Sequence, residues 1–349
     1  MAQREVGFGR HRKLAPPAPE APDVLDDMAV MRLLPERPVR GHKGRFGRLL
    51  VIAGSLNYAG AALLVCRAAG RAGAGLVTLA VPESLQPLFA AKVVEATTIP
   101  LPEDDVAEVD PEAALAMIRD QEHDAIVLGP GLRPGLATTE LVRDLLLAEG
   151  DPQPPPMVLD AEALRSMATL GDWWSGMTRA AVLTPHAGEF ARLRAGSGIE
   201  PDGDGDLINN DEARAKAALA AAAAWGKVVV LKGARTVIAA PDGKLTVAPF
   251  ENPALASGGT GDVLAGAIGA LLAQGVAPFD AARIGVYLHG VAGDSVRDRL
   301  GDSGLLASDL PEEIARARKR LVDLAARGQG TKRLGFRARE WSVRDGSED

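Results

Sequence analysis

Residues 257–262 read Ser-Gly-Gly-Thr-Gly-Asp and carry the strongest chemical signal in the chain. The glycines allow a tight turn that brings several backbone N–H groups to one point. An apolar helical pattern begins directly afterwards, at Val263, and a helix N-terminus adds unpaired donors and the positive end of a dipole. Together these features predict an anion site, with phosphate as the favoured anion.

Asp262 is unexpected at such a site, because a carboxylate repels an anion unless it takes part in the chemistry. A base that removes a proton from a hydroxyl beside a phosphoryl group would take part in this way. The alternative is an ordinary helix cap formed by Thr260 or Asp262. However, the glycines at 258, 259 and 261 are more than a cap requires. We therefore predict a phosphoryl-transfer site with Asp262 as base and the backbone of Gly259, Thr260 and Gly261 around the anion.

A second group that suits phosphate follows another apolar strand pattern. It supplies two cations, and the guanidinium of an arginine can hold phosphate through two hydrogen bonds. The five residues are Lys232, Gly233, Ala234, Arg235 and Thr236. We predict that they contact a nucleotide; the alternative is a solvated turn that leads into the next strand.

Weaker candidates follow other strand patterns. His186, in Thr-Pro-His-Ala-Gly-Glu, is either a binding residue or a structural histidine beside a helix-starting glutamate. Gly60 and Ala61 would let a ligand approach the backbone, but an ordinary strand-to-helix turn explains them equally well. Gly131, in Gly-Pro-Gly, has the same two explanations. The His-Lys-Gly at 42–44 either reaches phosphate or forms a solvated loop.

The elements that must position these residues alternate between short apolar runs and helical stretches. This alternation is typical of an α/β fold with a mostly parallel sheet and helices on both faces. The predicted strands are Leu49–Ala53, Leu76–Val81, Ala125–Leu128, Met157–Leu159, Ala181–Leu183 and Val228–Leu231; the predicted helices are Ala61–Gly73, Pro111–Arg119, Thr138–Glu149, Glu212–Trp225, Thr260–Gln274 and Ala281–Arg299. Thr236–Ala240 and Leu245–Ala248 predict an antiparallel hairpin at one edge of the sheet.

Most candidates directly follow predicted strands. Ligands of open α/β sheets bind beyond the carboxyl ends of the strands, so we expect one site at that edge.

Composition excludes several classes of protein. Of the 349 residues, 47% are apolar and 4% aromatic, so Ala, Val and Leu must fill a large core. The net charge of −7 argues against a dominant nucleic-acid or anionic-membrane role. The chain contains no run of 18 apolar residues and no signal-peptide pattern, so we expect a cytoplasmic protein without membrane contact. Cys66 is the only cysteine and is expected to be an inert core thiol.

The two ends and one internal stretch lack periodicity. Residues 1–27 are expected to form a flexible leader, residues 28–325 the folded domain, and residues 326–349 a charged tail. The acidic stretch 202–206 resembles a calcium loop, but that loop needs Gly at its sixth position and Glu at its twelfth, where this chain has Leu207 and Ala213. The Walker, HExxH, GxSxG, paired CxxC and Rossmann GxGxxG patterns are absent.

Taken in order, the motifs resemble the ribokinase-like superfamily, whose Gly-[Ala/Thr/Ser]-Gly-Asp motif is Gly-Thr-Gly-Asp here. Within it, the chain resembles the NAD(P)H-hydrate dehydratases, the YjeF C-terminal-domain family. The matching stretches are HKGRFGRLLVIAGS (42–55), YAGAALL (58–64), RAGAGLVT (71–78), GPGL (129–132), TPHAGE (184–189), LKGART (231–236), NPALASGGTGDVLAG (252–266), YLHGVAGD (287–294) and ASDLPEEI (307–314). Their order and spacing match over about residues 28–325, and only the combination is specific.

This resemblance implies a three-layer αβα ribokinase-like fold and a repair activity on NADH or NADPH hydrated at nicotinamide carbon 6 (NADHX and NADPHX). Family members dehydrate the S epimer, with ADP in bacterial-type enzymes and ATP in eukaryotic ones. The terminal phosphoryl group would pass from ADP to the hydroxyl while Asp262 accepts its proton, and elimination would then leave NAD(P)H, AMP and phosphate. Mg2+ would bridge the nucleotide phosphates, although no cage of metal-binding side chains is evident.

The resemblance also assigns site residues by position. Those that match the family's hydrate-binding residues are Ala61, Gly131, His186 and Asp262, and those that match its AMP-binding residues are Lys232, Gly233, Ala234, Arg235, Thr236 and Gly261. The resemblance further implies a homo-oligomer, such as a tetramer. The stretch before the match is too short for the epimerase domain that some members carry, so a separate epimerase is expected.

Two features leave alternatives open. After Gly-Pro-Gly-Leu the chain continues with Arg133-Pro134, where many relatives have Gly, which puts the shape of that loop in question. Gly-Thr-Gly-Asp alone would also fit an ATP-dependent kinase of a sugar or vitamin alcohol, or a nucleotide sensor without catalytic activity.

Overall fold

Short, buried strands form the centre of the molecule. The computed structural model describes residues 23–147, 154–197, 199 and 206–327. Predictions for the leader up to residue 22, for residues 202–205 of the acidic stretch and for the tail from residue 328 fall outside the described residues. The strands are β1 (Asp23–Val24), β2 (Arg48–Ile52), β3 (Leu76–Pro82), β4 (Thr97–Leu101), β5 (Glu103–Asp105), β6 (Glu108–Val109), β7 (Ala125–Leu128), β8 (Met157–Leu159), β9 (Ala181–Leu183), β10 (Val228–Leu231), β11 (Val237–Ala239) and β12 (Leu245–Val247).

Over the described residues, ten of these strands form one sheet in the order β1-β12-β11-β10-β9-β8-β7-β2-β3-β4. All neighbours pair in parallel except β11, which is antiparallel to both β10 and β12. The mostly parallel sheet is therefore confirmed, and β7, β8, β9 and β10 have the bounds that their apolar runs predict. β5 and β6 pair separately as a small antiparallel hairpin.

The predicted hairpin late in the chain is confirmed as β11 and β12, but one more strand lies outside it. β1 pairs in parallel with β12, with Val24 opposite Val247. Leu25, the next residue, is 1% exposed. The ordered fold thus includes residues 23–27, which corrects the expected leader boundary. A strand of two residues is too short to show a periodic pattern, so β1 could not be predicted from the sequence.

Helices cover both faces of the sheet. They are α1 (Asp27–Leu33), α2 (Ala59–Ala72), α3 (Gln86–Ala90), α4 (Pro111–Arg119), α5 (Leu136–Leu146), α6 (Glu162–Met167), α7 (Trp173–Gly176), α8 (Ala187–Gly196), α9 (Asp211–Trp225), α10 (Thr260–Ala273), α11 (Pro278–Leu300) and α12 (Leu310–Arg327). No helix in the described part of the chain combines the length and apolarity needed to cross a membrane.

Alternating side chains of each strand divide the core into two. In β2, Leu49 and Val51 pack in the core that also contains residues of α2, α10, α11 and α12. Leu50 and Ile52 pack in the other core, with α4, α5, α6, α8 and α9. This gives the expected αβα sandwich. Cys66 lies in the first core, where burial raises the pKa of its thiol to about 12, as expected for an inert core thiol.

Candidate active site

Side chains alternate between the two faces of each strand, and this alternation determines which of them lie on the α10 side of the sheet. In β8 and β10, Val158 and Val230 pack in the core that contains α10. Side chains repeat every two residues along a strand, so Asp160 and Lys232, just past the two strand ends, emerge on the same face. The Lys232 N–H donates to the Pro185 carbonyl at 2.9 Å and so continues the pairing beyond β10. The sequence therefore places two charged side chains at the carboxyl edge of the sheet, beside α10.

Lys232 and Asp160 form a buried ion pair. Lys232 Nζ lies 2.8 Å from Asp160 Oδ1 and 3.9 Å from Glu189 Oε2. Burial by itself disfavours the Lys232 charge, but Asp160 and Glu189 outweigh it and the pKa of Lys232 is raised. Lys232 thus stays protonated. Asp160 is 2% exposed, and sequence reasoning gave it no role although it directly follows a buried strand, which was the available signal.

The start of α10 lies against this pair. Gly259 has φ +91°, and a Cβ there would lie 2.7 Å from Leu64 Cδ1, so glycine is required both by conformation and by space. The Thr260 hydroxyl is used within the loop, where it donates to the Leu255 carbonyl at 2.8 Å. A Cβ on Gly261 would lie 3.4 Å from Lys232 Nζ. The backbone of the first turn is therefore the part of this motif that can meet an anion beside Lys232.

Asp262 is a half-buried carboxylate with a perturbed pKa. Within the described residues it makes no hydrogen bond or ion pair at its carboxylate. Burial, and then the charge of Asp160, raise the pKa of Asp262 to about 7, while Lys232 acts in the opposite direction. A carboxylate that titrates near neutral pH can accept a proton during catalysis, which fits the predicted base.

His289 is a further site residue that residue-by-residue reasoning missed. Its Nε2 lies 2.9 Å from the Thr260 carbonyl oxygen, which can only accept, so Nε2 carries the proton. Burial lowers the pKa of His289 to about 4, and the ring is neutral at pH 7. The signal available was its place in YLHGVAGD, one of the matching stretches.

A cavity of about 800 Å³ opens beside these groups, within the usual range for small-molecule sites. Its lining includes most of the predicted nucleotide residues, together with one predicted hydrate-binding residue and several from the loop before α10 and from α11. They include Lys232, Gly233, Ala234, Thr236, Gly261, His186, Thr260, Phe250, Leu264, Val286 and His289. The structure thus brings the Lys232–Thr236 stretch and the start of α10 together.

Arg235 differs from the prediction that its guanidinium holds phosphate. It is absent from the cavity lining, and its Nε lies 3.1 Å from Asp211 Oδ2 on α9. Its φ of +53° is left-handed, and its N–H donates to the Phe250 carbonyl at 2.7 Å. The guanidinium lies between Asp211 on α9 and Glu251, whose Oε1 is 4.0 Å from Arg235 Nη1, so it supports the loop through two carboxylates.

Ala61 and Gly131 meet on another side of the α10 start. Gly131 has φ +66°, and a Cβ there would lie 2.7 Å from the Ala61 methyl and 2.7 Å from the Tyr58 carbonyl. Ala61 and Leu64 lie on α2, and Leu64 contacts Gly259. Neither Ala61 nor Gly131 lines the large cavity. The predicted hydrate-binding residues therefore fall in two places, with this pair on the α2 side and His186 at the cavity.

His186 fits both of its predicted explanations. Its Nδ1 accepts from the N–H of Gly188 at 3.0 Å, and Glu189 Oε2 accepts from the N–H of His186 at 2.9 Å, which is a capping box for α8. Because Nδ1 is an acceptor, the remaining ring nitrogen is a donor. The side chain is 57% exposed, and its ring lines the cavity.

The His-Lys-Gly stretch at 42–44 lies elsewhere. It leads into a short 3₁₀ helix, Lys43–Phe46, that precedes β2. It therefore lies at the amino ends of the strands, away from Lys232 and Asp262. This position separates it from the site and favours the second of its two explanations, a solvated loop.

Comparisons with known proteins agree with this geometry. The sequence model of the NAD(P)H-hydrate dehydratase family matches residues 49–316. A bifunctional NAD(P)H-hydrate repair enzyme of Moorella thermoacetica is 42% identical over 77% of this chain and 49% of its own length. An ADP-dependent (S)-NAD(P)H-hydrate dehydratase of Xanthomonas campestris is 37% identical over 78% of this chain and 89% of its own length. The chain thus spans about half the length of the bifunctional relatives that it matches.

A solved structure shows the same architecture. It is the ADP/ATP-dependent NAD(P)H-hydrate dehydratase of Bacillus subtilis, co-crystallised with ATP and Mg2+. It superimposes with a TM-score of 0.70 and 33% identity, and the match covers 86% of this chain and 98% of that one. The ribokinase-like fold that the sequence resemblance implied is confirmed.

Proposed function

The chain belongs to the NAD(P)H-hydrate dehydratase family, and from that membership we propose that it dehydrates the S epimer of hydrated NADH or NADPH with ADP as phosphoryl donor. One observation supports phosphoryl transfer as the chemistry of this site. Asp262, whose pKa is raised to about 7, lies at the helix start beside Lys232 and a cavity of about 800 Å³. A base, a cation and a row of backbone donors are the parts that phosphoryl transfer requires.

In the first step the hydroxyl oxygen on carbon 6 attacks the terminal phosphorus of ADP. Asp262 takes the hydroxyl proton, the new oxygen–phosphorus bond forms, and the bond from phosphorus to the bridging oxygen breaks to release AMP. Lys232, held by Asp160 at 2.8 Å, offers its positive charge to the phosphate oxygens. The N–H groups of the first turn of α10, at Gly261 and its neighbours, stabilise the charge on the transferred group.

In the second step the bond from carbon 6 to the phosphorylated oxygen breaks. The lone pair of the ring nitrogen supplies the electrons, and inorganic phosphate leaves. Loss of a proton from the neighbouring carbon restores the double bond of the reduced nicotinamide. Phosphorylation is needed because hydroxide is a poor leaving group, whereas phosphate is a good one.

The two substrates are assigned to two sides of the α10 start. We place ADP in the large cavity, against Lys232, Gly233, Ala234 and Thr236, and the hydrated nicotinamide on the side where Ala61 and Gly131 meet. Asp262 then lies at the boundary between the two. Of the predicted residues, His186 is proposed to contact the hydrated dinucleotide from the cavity side, where its Nε2 lies 3.6 Å from Glu189 Oε1, and Arg235 contributes through its backbone.

Mg2+ is proposed to arrive with the nucleotide phosphates. No group of three or more His, Cys, Asp or Glu side chains suited to a metal is found among the described residues. Asp160, the best-placed carboxylate, already binds Lys232 Nζ. The side chains described therefore do not form a metal cage of their own, and no step of the mechanism is assigned to the ion.

Recovery of reduced nicotinamide tests the proposal. Hydrated NADH and hydrated NADPH are each incubated with the protein and either ADP or ATP, and reduced-nicotinamide absorbance is followed. We expect recovery, with AMP and phosphate as products when ADP is the donor. No recovery with either nucleotide would overturn the proposal. A kinase of a sugar or vitamin alcohol would instead accumulate a phosphorylated product and restore no reduced nicotinamide.

The remaining expectations concern the setting of the enzyme. We propose a cytoplasmic homo-oligomer, such as a tetramer, that works with a separate epimerase. Light scattering measures the oligomeric state. In the absorbance assay a mixture of epimers should stop part-way and run to completion only after an epimerase is added.

A further inference from the structure

Arg214 is a buried cation directly behind the loop that lines the cavity. It lies in the first turn of α9, and its side chain is 1% exposed. Its guanidinium donates to the carbonyl oxygen of Ala234, to the carbonyl oxygen of Ile208 at 3.1 Å and to Asp211 Oδ1 at 3.0 Å. Two of these three acceptors belong to backbone loops, so the side chain ties loops together rather than pairing only with a carboxylate.

The loop lies flat against this guanidinium. A Cβ on Gly233 would come within 2.7 Å of Arg214 Nη1, so a larger residue there would require the guanidinium or the loop to shift. On its other side the loop is held by the Arg235 N–H, which donates to the Phe250 carbonyl at 2.7 Å. The stretch from Gly233 to Arg235 is therefore clamped between α9 and the strand that leads to Phe250.

Burying this charge has a cost that the contacts must offset. Burial lowers the pKa of Arg214, and the nearby charge of Arg235 acts in the same direction, while Asp211 opposes them. A buried guanidinium is tolerated when its donors find acceptors. Here Nη1 and Nη2 have acceptors, among them the Ala234 carbonyl, while Nε has none within the described residues. The position of Ala234 and the stability of the buried charge thus depend on each other.

We propose that Arg214 is a positioning residue of the nucleotide site, which fixes Gly233 and Ala234 at the cavity wall and so sets nucleotide affinity without touching the nucleotide. This inference rests on the proposed function in one respect, the assignment of ADP to the cavity. Arg214 acts only through the loop. Its substitution should therefore change nucleotide binding and leave the phosphoryl-transfer residues at Asp262 in place.

The test compares Arg214→Met with wild type by calorimetry with ADP and by steady-state kinetics. We expect roughly 10-fold weaker ADP binding and a similar rise in nucleotide KM, with kcat within about twofold, as for a displaced binding element. Arg214→Lys, which keeps the charge but loses the planar fork, should fall between the two. Arg320→Met, which removes a partly buried cation that pairs with Asp27, is the matched control and should leave ADP affinity unchanged.

A second variant covers the case in which Arg214→Met does not fold. Gly233→Ala pushes the loop away from the guanidinium, so it should weaken ADP binding in wild type but have a much smaller effect in an Arg214→Lys background, which keeps the buried charge and loses the planar fork. Additive effects in that cycle, or unchanged ADP affinity in a folded Arg214→Met, would overturn the inference.

The same data separate this inference from the proposed function. If wild type binds ADP but restores no reduced nicotinamide, the dehydratase proposal fails, and the calorimetric comparison still tests Arg214. If wild type turns over and Arg214→Met keeps its nucleotide KM, the inference fails and the function stands. Absence of ADP binding to wild type would overturn both.

Discussion

Asp27 and Asp262 both lie at the first turn of a helix, the former buried and the latter half-buried, and their surroundings differ. Asp27 is 8% exposed, and its Oδ1 accepts from Tyr287 Oη and from Arg320 Nη2, both at 2.6 Å. Its Oδ2 accepts from Arg320 Nη1 at 3.2 Å. The carboxylate of Asp262 makes no hydrogen bond or ion pair within the described residues, and its pKa is raised to about 7.

The difference shows how the same residue type, aspartate, stabilises the fold at one position and can take part in catalysis at another. The paired carboxylate joins α1, α11 and α12, and its charge is matched on both oxygens. The unpaired carboxylate is costly to ionise, and for that reason it can accept a proton near neutral pH. If this distinction is correct, substitutions at the two positions should affect different quantities.

Asp262→Asn should produce the largest effect. The amide keeps the shape of the side chain but cannot accept the hydroxyl proton, so we expect a rate loss of roughly 100-fold or more. ADP binding, measured by calorimetry, should be retained because Lys232 and the loop are untouched. Turnover at the wild-type rate would remove Asp262 from the role of base.

Arg320→Met should act on stability and leave catalysis alone. It leaves Asp27 buried with only the Tyr287 hydroxyl as partner, and an unmatched buried charge of this kind lowers the free energy of unfolding by about 3 kcal/mol. Urea unfolding measures the loss, and kcat in the absorbance assay should stay at the wild-type value. A large fall in kcat in the folded variant would show that the two aspartates are not independent.

Most of the central strands that frame the two aspartates could be predicted from the sequence, but several other elements could not. Strands such as Ala125–Leu128 and Val228–Leu231 are continuous apolar runs with clear ends, so their bounds could be predicted. β4, Thr97–Leu101, was not predicted, because it is a half-exposed edge strand that contains a proline and shows no strong periodicity. α12 was also missed, although Leu310, Ile314 and Leu321 recur at helical spacing among its charges.

At the site, the residues of one local motif were predictable and the contacts between motifs were not. The glycines and Asp262 are adjacent in sequence, so the anion site could be inferred. The raised pKa of Asp262 depends on its burial and then on the charge of Asp160, and both follow from contacts that form only in the folded protein. Arg235 was expected to hold phosphate, but its guanidinium pairs with Asp211 and Glu251, and the contact with Asp211 joins parts of the chain that are distant in sequence.

Asp262→Asn should also stabilise the protein, in contrast to Arg320→Met. The folded-state pKa of Asp262 is raised from 3.8 to about 7, so between these values the folded protein holds a proton that the unfolded chain has lost. Stability therefore falls as pH rises through this range, and asparagine removes the penalty. The full shift corresponds to about 4 kcal/mol, and solvent screening of the half-buried carboxylate reduces it. We therefore expect a gain of about 2 kcal/mol at pH 8 and almost none at pH 4, measured by urea unfolding at both values. Equal unfolding curves at pH 8 would mean that the Asp262 carboxylate is well solvated or paired.

The pH dependence of kcat/KM is the smallest of the predicted effects per pH unit. It is also the most direct test of whether Asp262 is the group that titrates. Asp262 acts as a base only when ionised, and burial raises its pKa to about 7. The rate should therefore level off above about pH 7 and fall about tenfold for each pH unit below it. His289, whose pKa is lowered to about 4, remains neutral over most of this range and should add no second limb to the profile.

Two variants test this profile. The residual activity of Asp262→Asn should lack the limb near pH 7, whereas Arg320→Met should keep it, because the Asp27 pair lies outside the site. A limb that persists in Asp262→Asn would assign the titration to another group and leave Asp262, like Asp27, a structural carboxylate.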